Sequence, residues 1–340
     1  MMKFSKNGIE KLRNLIETSQ KITLITHYNP DGDALGASAA VFYYLKEKGK
    51  DVVSIIPNTF PKNIGFVVES IDYIIAEKEF KKAKNRILDS DCLIVLDMNA
   101  NHRSGDNLEK VLNEANITKV LLDHHVSPEK YDIVFSYPQA SATCEVVYNV
   151  LKRLDNKKIF SYDVSLPLYA GILTDTGSFS YSCDHSEVYD VVSNLLKAGL
   201  KASKIHQKLF DTYSYHRLSL LGYAIGKKFR FFPEQRAAFI YLTKRELKRF
   251  HYEIGDLEGV VNYCLKLEKV DFCALLSERE DKVRMSFRSK DPSVDVNVFA
   301  RKYWNGGGHV MAAGGKSYEE MDVVVEKLTK QIKEKNFLQQ

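Results

Sequence analysis

A chain of 340 residues that is 44% hydrophobic and 27% charged, with only 8 Pro and 18 Gly, has the composition of a globular protein of one large or two smaller domains, which excludes the disordered and fibrous classes. Lys plus Arg (49) exceeds Asp plus Glu (44) by five, compatible with an anionic partner but too small an excess to require one. The five cysteines form an odd set without CxxC spacing, several of them in apolar runs such as CLIVLD and FCALL, and read as buried free thiols in a reducing compartment.

The amino terminus, MMKFSKNGIEKLRNLIE, alternates charged and apolar residues in a helical pattern and lacks the continuous apolar core of a secretory signal. The apolar stretch Ala37 to Leu45 is far short of the ~20 residues that span a bilayer, so a cytoplasmic protein with no membrane contact is expected. KITLIT (21–26) reads as a buried strand, Ala34 to Lys48 as a helix rich in small residues on one side, and DVVSII (51–56) as a second strand. That order is a βαβ unit, which implies a parallel sheet with a right-handed crossover. The lysine-rich segment Lys81 to Arg86 reads as a solvated helix face. CLIVLD (92–97) and KVLLD (119–123) are further strands, each ending in an acid, and in open α/β sheets ligands collect beyond the carboxyl ends of the strands.

From Ser141 to Phe210 the pattern is helical, with SATCEVVYNVLKRL, SLPLYAGILTDTG and SEVYDVVSNLLKAGL as helices. AAFIYL (237–242), VDFCALLSE (270–278) and DKVRMSFRSK (281–290) read as strands, the last two joined by the polar turn Glu278 to Asp281. A helix over Val294 to Tyr303, a glycine cluster and an amphipathic helix from Tyr318 into a solvated Lys/Glu-rich carboxyl terminus complete the chain. The expected fold is α/β: a parallel-sheet, Rossmann-like domain over residues 1–185, a helical connector over 186–226 and a smaller α/β domain over 227–340.

Chemistry concentrates in the first domain. His27, Asp31 and Asp33 share the loop THYNPDGDALG, where Pro30 and Gly32 favour a tight turn. Singly, each has a plain structural reading, since an Asp before a helix is usually an N-cap and Asp33 alone could cap Ala34. Asp97 ends one strand, and Asp123, His124 and His125 end another; burying that much polarity costs several kcal/mol, roughly, unless it is compensated. Asp175, in AGILTDTGSFS, is an acid at the carboxyl end of an apolar helix, where the macrodipole disfavours it unless a cation is near. Five Asp and three His without cysteine suit Mn²⁺, with Mg²⁺, Co²⁺ or Fe²⁺ as alternatives, and exceed the needs of one ion. They suit a two-metal centre with one bridging carboxylate, an arrangement that activates water for attack on phosphorus.

These segments resemble the four motifs of the DHH (RecJ-like) phosphoesterase superfamily: HYNPDGD, the strand-end Asp97, DHH at 123–125 and TDTGSFS. FARKYWNGGGHVMAAGG is similar to the GGGH motif of the DHH-associated domain that accompanies it. Length and domain pairing most resemble the nano-RNase and 3′-phosphoadenosine 5′-phosphate phosphatase branch. The resemblance implies His27 and Asp31 on one ion, Asp33, His124 and Asp175 on the other, Asp97 bridging, His125 facing the substrate phosphate and Asp123 supporting the histidines. Tyr28 and Asn29 depart from the pattern, in which an Arg often precedes the Pro.

In the second domain, strand alternation in VRMSFRS places Arg284, Ser286 and Arg288 on one face and Val283, Met285 and Phe287 on the other. Guanidinium forks suit phosphate, although surface arginines on an exposed face are the plain alternative. Gly306, Gly307 and Gly308 precede His309 and a helix start, a backbone that admits an anion closely; with the resemblance they become a clamp for the 5′ end of the substrate. Arg103, six residues past Asp97, could reach a phosphate oxygen, as the resemblance implies, with a surface role as the plain alternative. Phe229, Phe231 and Phe232 could stack bases but read first as core.

The implied activity is Mn²⁺-dependent hydrolysis of dinucleotides and other short oligonucleotides to 5′-mononucleotides, and dephosphorylation of 3′-phosphoadenosine 5′-phosphate, by a metal-bridging hydroxide. Short RNA or DNA and small nucleotides are the expected partners, and a monomer or homodimer the expected state. Alternatives are a phosphodiesterase for linear or cyclic dinucleotides, a RecJ-like single-strand exonuclease, an inorganic pyrophosphatase, and a non-catalytic nucleotide sensor. The charge excess is unevenly placed: residues 1–215 hold 26 Lys/Arg against 27 Asp/Glu, and residues 216–340 hold 23 against 17. Acids gather in one domain and bases in the other.

Overall fold

The computed structural model describes Met2 and residues 4–334, which fall into two compact units, residues 1–212 and 213–340. The first contains α1 (Lys6–Thr18), β1 (Lys21–Ile25), α2 (Gly32–Glu47), β2 (Asp51–Ile56), β3 (Tyr73–Ile75), α3 (Phe80–Leu88), β4 (Cys92–Leu96), α4 (Asp106–Glu114), β5 (Thr118–Asp123), β6 (Ile133–Ser136), α5 (Thr143–Asp155), α6 (Tyr162–Asp175), α7 (Ser186–Leu196) and α8 (Ala202–Phe210). Its six strands form one parallel sheet in the order β3-β2-β1-β4-β5-β6.

Both faces of that sheet are covered, which is why its strands are continuous apolar runs. Alternation divides them. Ile22, Leu24, Cys92, Ile94, Leu96, Val120 and Leu122 join the core made with α1, α2, α5 and α6, whereas Ile25, Leu93, Val95 and Leu121 join the core made with α3 and α4. On the first face, α2 and α6 approach closely because small residues meet there. A Cβ at Gly36 would lie 2.5 Å from Pro167 O, and one at Gly171 would lie 2.2 Å from Cys144 Sγ.

Two short strands, β3 and β6, extend the sheet at its edges beyond what apolar patterning suggests; YII and IVFS are too brief to show a period. The reading of Lys81 to Arg86 as a solvated face is corrected at Arg86. Its guanidinium donates to Asp51 Oδ2 at 2.8 Å, Asp51 O at 2.9 Å and Ile22 O at 3.3 Å, tying α3 to the edges of β1 and β2. The five cysteines are buried free thiols. Among the described residues no helix is long and apolar enough to cross a membrane.

The second unit contains α9 (Tyr215–Lys227), β7 (Phe229–Phe232), β8 (Ala237–Leu242), α10 (Lys244–Arg249), α11 (Asn262–Leu265), β9 (Phe272–Glu278), β10 (Val283–Ser289), α12 (Val296–Tyr303), β11 (Gly307–Gly308), β12 (Ala312–Ser317) and α13 (Met321–Lys333). Its mixed sheet runs β11-β12-β10-β9-β8-β7, with β8 and β9 parallel and the other pairs antiparallel. Helices α12 and α13 pack on one face, and α9, α10 and α11 on the other. Helix α13 buries Met321, Val324, Leu328 and Ile332, so only its remaining face is solvated. The last of the Lys/Glu-rich terminus, 335–340, lies outside the described residues, as do Met1 and Lys3 of the amino-terminal segment.

One expectation is overturned in this unit. No helix starts after His309; Gly307 and Gly308 form β11, which pairs with β12 around the turn 309–312, where His309 N–H donates to Ala312 O at 2.8 Å. The glycines are there because two strands come unusually close: a Cβ at Gly306 would lie 1.9 Å from Gly314 O. Edge strand β7 leaves Phe231 exposed, while Phe229 and Phe232 pack against opposite faces of the sheet.

Candidate metal centre

The site lies at the carboxyl ends of three adjacent strands. His27 is two residues past β1, Asp97 one past β4, and Asp123 ends β5 with His124 and His125 after it. Asp97 sits at φ 58°, a left-handed backbone that a non-glycine residue adopts at some cost, and it is only 2% exposed. That turn aims its carboxylate into the centre. Oδ2 lies 3.3 Å from His27 Nε2, and Oδ1 lies 3.6 Å from His124 Nε2 and 3.5 Å from His125 Nδ1.

Asp31 is the N-cap of α2, accepting from the N–H groups of Asp33 at 3.0 Å and Ala34 at 3.1 Å through Oδ1, the atom 4.0 Å from His27 Nε2. Asp33 caps a different helix. Its two oxygens accept from Thr143 N–H at 2.6 Å and Cys144 N–H at 2.9 Å, in the first turn of α5. Asp175, the last residue of α6, places Oδ2 3.5 Å from His124 Nε2. Among the groups whose potential ligand atoms lie within 4.8 Å of one another are His27, Asp31 and Asp97, then Asp33, His124 and Asp175, and also Asp97, Asp123 and His125.

The histidines are oriented from behind. His27 Nδ1 lies 3.0 Å from Tyr28 O, and His124 Nδ1 3.3 Å from Ala140 O, so both rings turn Nε2 toward the carboxylates. His125 Nδ1 lies 2.8 Å from Asp123 Oδ1, and Asp123 Oδ2 is buried without a hydrogen-bond partner among the described residues. Asn58, which sequence patterning does not single out, holds the loop before α2: its Oδ1 accepts from Asn29 N–H at 2.6 Å, with Asn29 at φ 56°. Arg103 O accepts from Tyr28 N–H at 2.6 Å; burial would lower the His27 imidazole, but Asp97 and Asp31 raise it on balance against the opposing charge of Arg103.

Electrostatics show a centre short of positive charge. Burial by itself would raise the Asp97 carboxyl, but His27, His125 and His124 hold it well below the usual range. Burial raises Asp33, with Asp97 and Asp175 adding to it, and burial lifts Asp175 to about 7 despite His124. His124, which burial would lower, is carried to about 9 by Asp175, Asp97 and Asp33. Divalent ions would relieve this crowding, and the imidazole and carboxylate donors fit them. Because Asp175 and His124 must both shed protons to become ligands, Mn²⁺ affinity is expected to rise with pH. Asp33 is likewise held toward its protonated form, so each ligand proton displaced adds roughly tenfold per pH unit to that rise. Calorimetric titration in buffers of different ionisation enthalpy reads the proton count directly.

Not every site residue was visible in the pattern. From sequence Thr143 is only part of a helix, yet its hydroxyl donates to Asp97 Oδ1 at 2.8 Å. The usable signal was SAT just before an apolar helical run, where hydroxyl residues gather at helix starts. In the second unit, Arg284, Ser286 and Arg288 share one face of β10, opposite the buried Val283, Met285 and Phe287. Ser286 is paired with Gly314 of β12, which in turn pairs with Gly307 of β11, so these positions share one side of that sheet's edge. Asn297 Oδ1 accepts from Gly308 N–H at 3.0 Å.

Comparison with known proteins places the chain in a family. The N-terminal domain of the DHH family matches residues 21–172, and the DHHA1 domain matches residues 238–334. The chain is similar to the bifunctional oligoribonuclease and PAP phosphatase NrnA of Bacillus subtilis, 25% identical over 332 residues, covering 95% of this chain and 98% of that one. Among solved structures, an exopolyphosphatase-related protein from Bacteroides fragilis is 32% identical with a TM-score of 0.92, covering 98% of this chain and 97% of that one. RecJ from Thermus thermophilus in complex with Mn²⁺ shares the fold, with a TM-score of 0.56 at 14% identity, over 96% of this chain and 54% of that one.

Proposed function

The chain belongs to the DHH family, with a DHHA1 domain following, and on that premise we propose that it is a phosphoesterase that cleaves very short oligonucleotides to 5′-mononucleotides and removes the 3′-phosphate from 3′-phosphoadenosine 5′-phosphate. The observation that carries this is the convergence of His27, Asp31, Asp33, His124 and Asp175 around one buried carboxylate, Asp97. It is a hydrolase acting on phosphoester bonds, and the substrate preference within that class is our reading.

His27, Asp31 and Asp97 would hold one divalent ion, and Asp33, His124, Asp175 and Asp97 the other. Bound there, the ions would supply an activated water and neutralise charge on the phosphoryl oxygens. The remaining residues do the orienting. Asp123 Oδ1 lies 2.8 Å from His125 Nδ1 and so orients the ring that would face the substrate phosphate. Arg103 lies at the His27 edge, where a guanidinium suits a second phosphoryl oxygen. In the second unit, Arg284, Ser286 and Arg288, together with Gly306, Gly307, Gly308 and His309, would be the nucleotide-binding residues. At Gly306 and Gly308 the room a side chain would need is taken by β12 backbone, so their part in such a site would be the hairpin they permit.

The charge distribution supports a small anionic substrate, since the surplus of basic residues lies wholly in the second unit. The purified full chain should be assayed with Mn²⁺ against RNAs of two to ten nucleotides and adenosine 3′,5′-bisphosphate. A steep fall in rate beyond the shortest lengths is the expected result; equal rates at every length would replace this reading with that of an exonuclease.

A further inference from the structure

A carboxylate shared by two ions has to present one oxygen to each, so the plane of the Asp97 carboxylate matters as much as its position. The χ2 torsion of Asp is broad and roughly two-fold, and so does not fix that plane by itself. One neutral hydroxyl touches it. Thr143 Oγ1 donates to Oδ1 at 2.8 Å, on the side where His124 Nε2 lies at 3.6 Å, while Oδ2 faces His27 Nε2 at 3.3 Å. Thr143 and Asp97 are both buried, so water does not readily replace this bond.

The hydroxyl is itself held. Thr143 begins α5, and its backbone N–H is bound to Asp33 Oδ2, so the residue cannot turn away without breaking a contact to a second carboxylate of the centre. The preceding segment is tied as well: Ala140 O faces His124 Nδ1 at 3.3 Å, and Ser141 N–H donates at 2.8 Å to the fully buried Glu145, whose carboxylate lies 3.2 Å from His185 Nε2. A single short stretch of chain thereby reaches Asp33, Asp97 and His124.

Resting on the two-ion reading above, we propose that Thr143 is a positioning residue that sets the plane of Asp97, directing Oδ2 to the His27 and Asp31 side and Oδ1 to the His124 and Asp175 side. The hydroxyl occupies one lone-pair direction of Oδ1 and leaves the other for an ion. Thr143→Val removes only the hydroxyl: the β-branch, the volume and the backbone N–H to Asp33 remain.

The test is Mn²⁺ binding to the full chain, prepared metal-free and followed by the loss of the free-ion electron paramagnetic resonance signal. Wild type should take up two ions. Thr143→Val should weaken at least one of them by about ten- to a hundredfold, the range for losing an outer partner of a metal ligand, and Thr143→Ser should recover to within about threefold of wild type. Circular dichroism of the metal-free proteins checks the fold, and Thr143→Ala serves as a second hydroxyl-free variant if the valine protein does not fold. Either folded hydroxyl-free variant binding two ions with wild-type affinity overturns the proposal, as does Thr143→Ser behaving like Thr143→Val. A wild-type chain that binds fewer than two ions contradicts the two-ion reading instead.

Discussion

Replacing Asp97 is expected to lower phosphoester hydrolysis by about a thousandfold or more. Losing one preorganised transition-state donor costs roughly 10²- to 10³-fold, and Asp97 serves both halves of the centre at once. Its removal also leaves His27, His124 and His125 without the carboxylate they share. Asp97→Ala carries a second effect, because the left-handed backbone at this position disfavours alanine by about 1–2 kcal/mol. Asp97→Asn separates the two, since Asn tolerates that conformation and keeps the shape while losing the charge. Both variants should retain wild-type circular dichroism. Turnover within tenfold of wild type in a folded Asp97→Asn protein would mean that the centre does not work through this residue.

The second large effect is expected from a position that touches no substrate. Gly171 lies where α6 packs against both α2 and α5: a Cβ there would sit 2.2 Å from Cys144 Sγ and 3.1 Å from Asp33 Cα. Gly171→Val adds two methyls beyond that, in a core with no room to yield, and should cost about 3 kcal/mol, the upper end for overpacking. The strain falls on the contact that brings Asp33 and Asp175 to one place, so Mn²⁺ affinity should fall together with the melting temperature. A valine protein that melts and binds Mn²⁺ as the wild type does would show that this contact is not what spaces the ligands.

The parallel sheet was legible because buried strands are apolar throughout and three of them end in, or run into, residues unsuited to burial: His27, Asp97 and Asp123. The gathering of acids and imidazoles was legible for the same reason, since no ordinary core accommodates so many of them. What the pattern could not convey was who holds whom. Asp33 looks like a cap for its own helix and in fact caps α5, a partner more than a hundred residues away in the chain. Thr143 was hidden for a related reason, because a hydroxyl at a helix start looks the same whether it faces solvent or a carboxylate. The glycine run at 306–308 misled through its own freedom: glycine permits a helix entrance and a tight hairpin equally, and the choice is made by β12, which supplies the pairing strand. Arg86 looked like one of a solvated series because charge alone does not show that its fork reaches the carbonyls of Ile22 and Asp51.

The centre draws its donors from residue 27 at one extreme to residue 175 at the other, and the last of them stands at the very end of α6. A polypeptide emerging from the ribosome amino end first therefore carries an incomplete set until nearly all of the first unit has been made, and domains commonly fold as whole units during synthesis. Hydrolytic capacity would then arrive late and all at once. A nascent chain stalled or truncated before Asp175 would be harmless to the nucleotides around it.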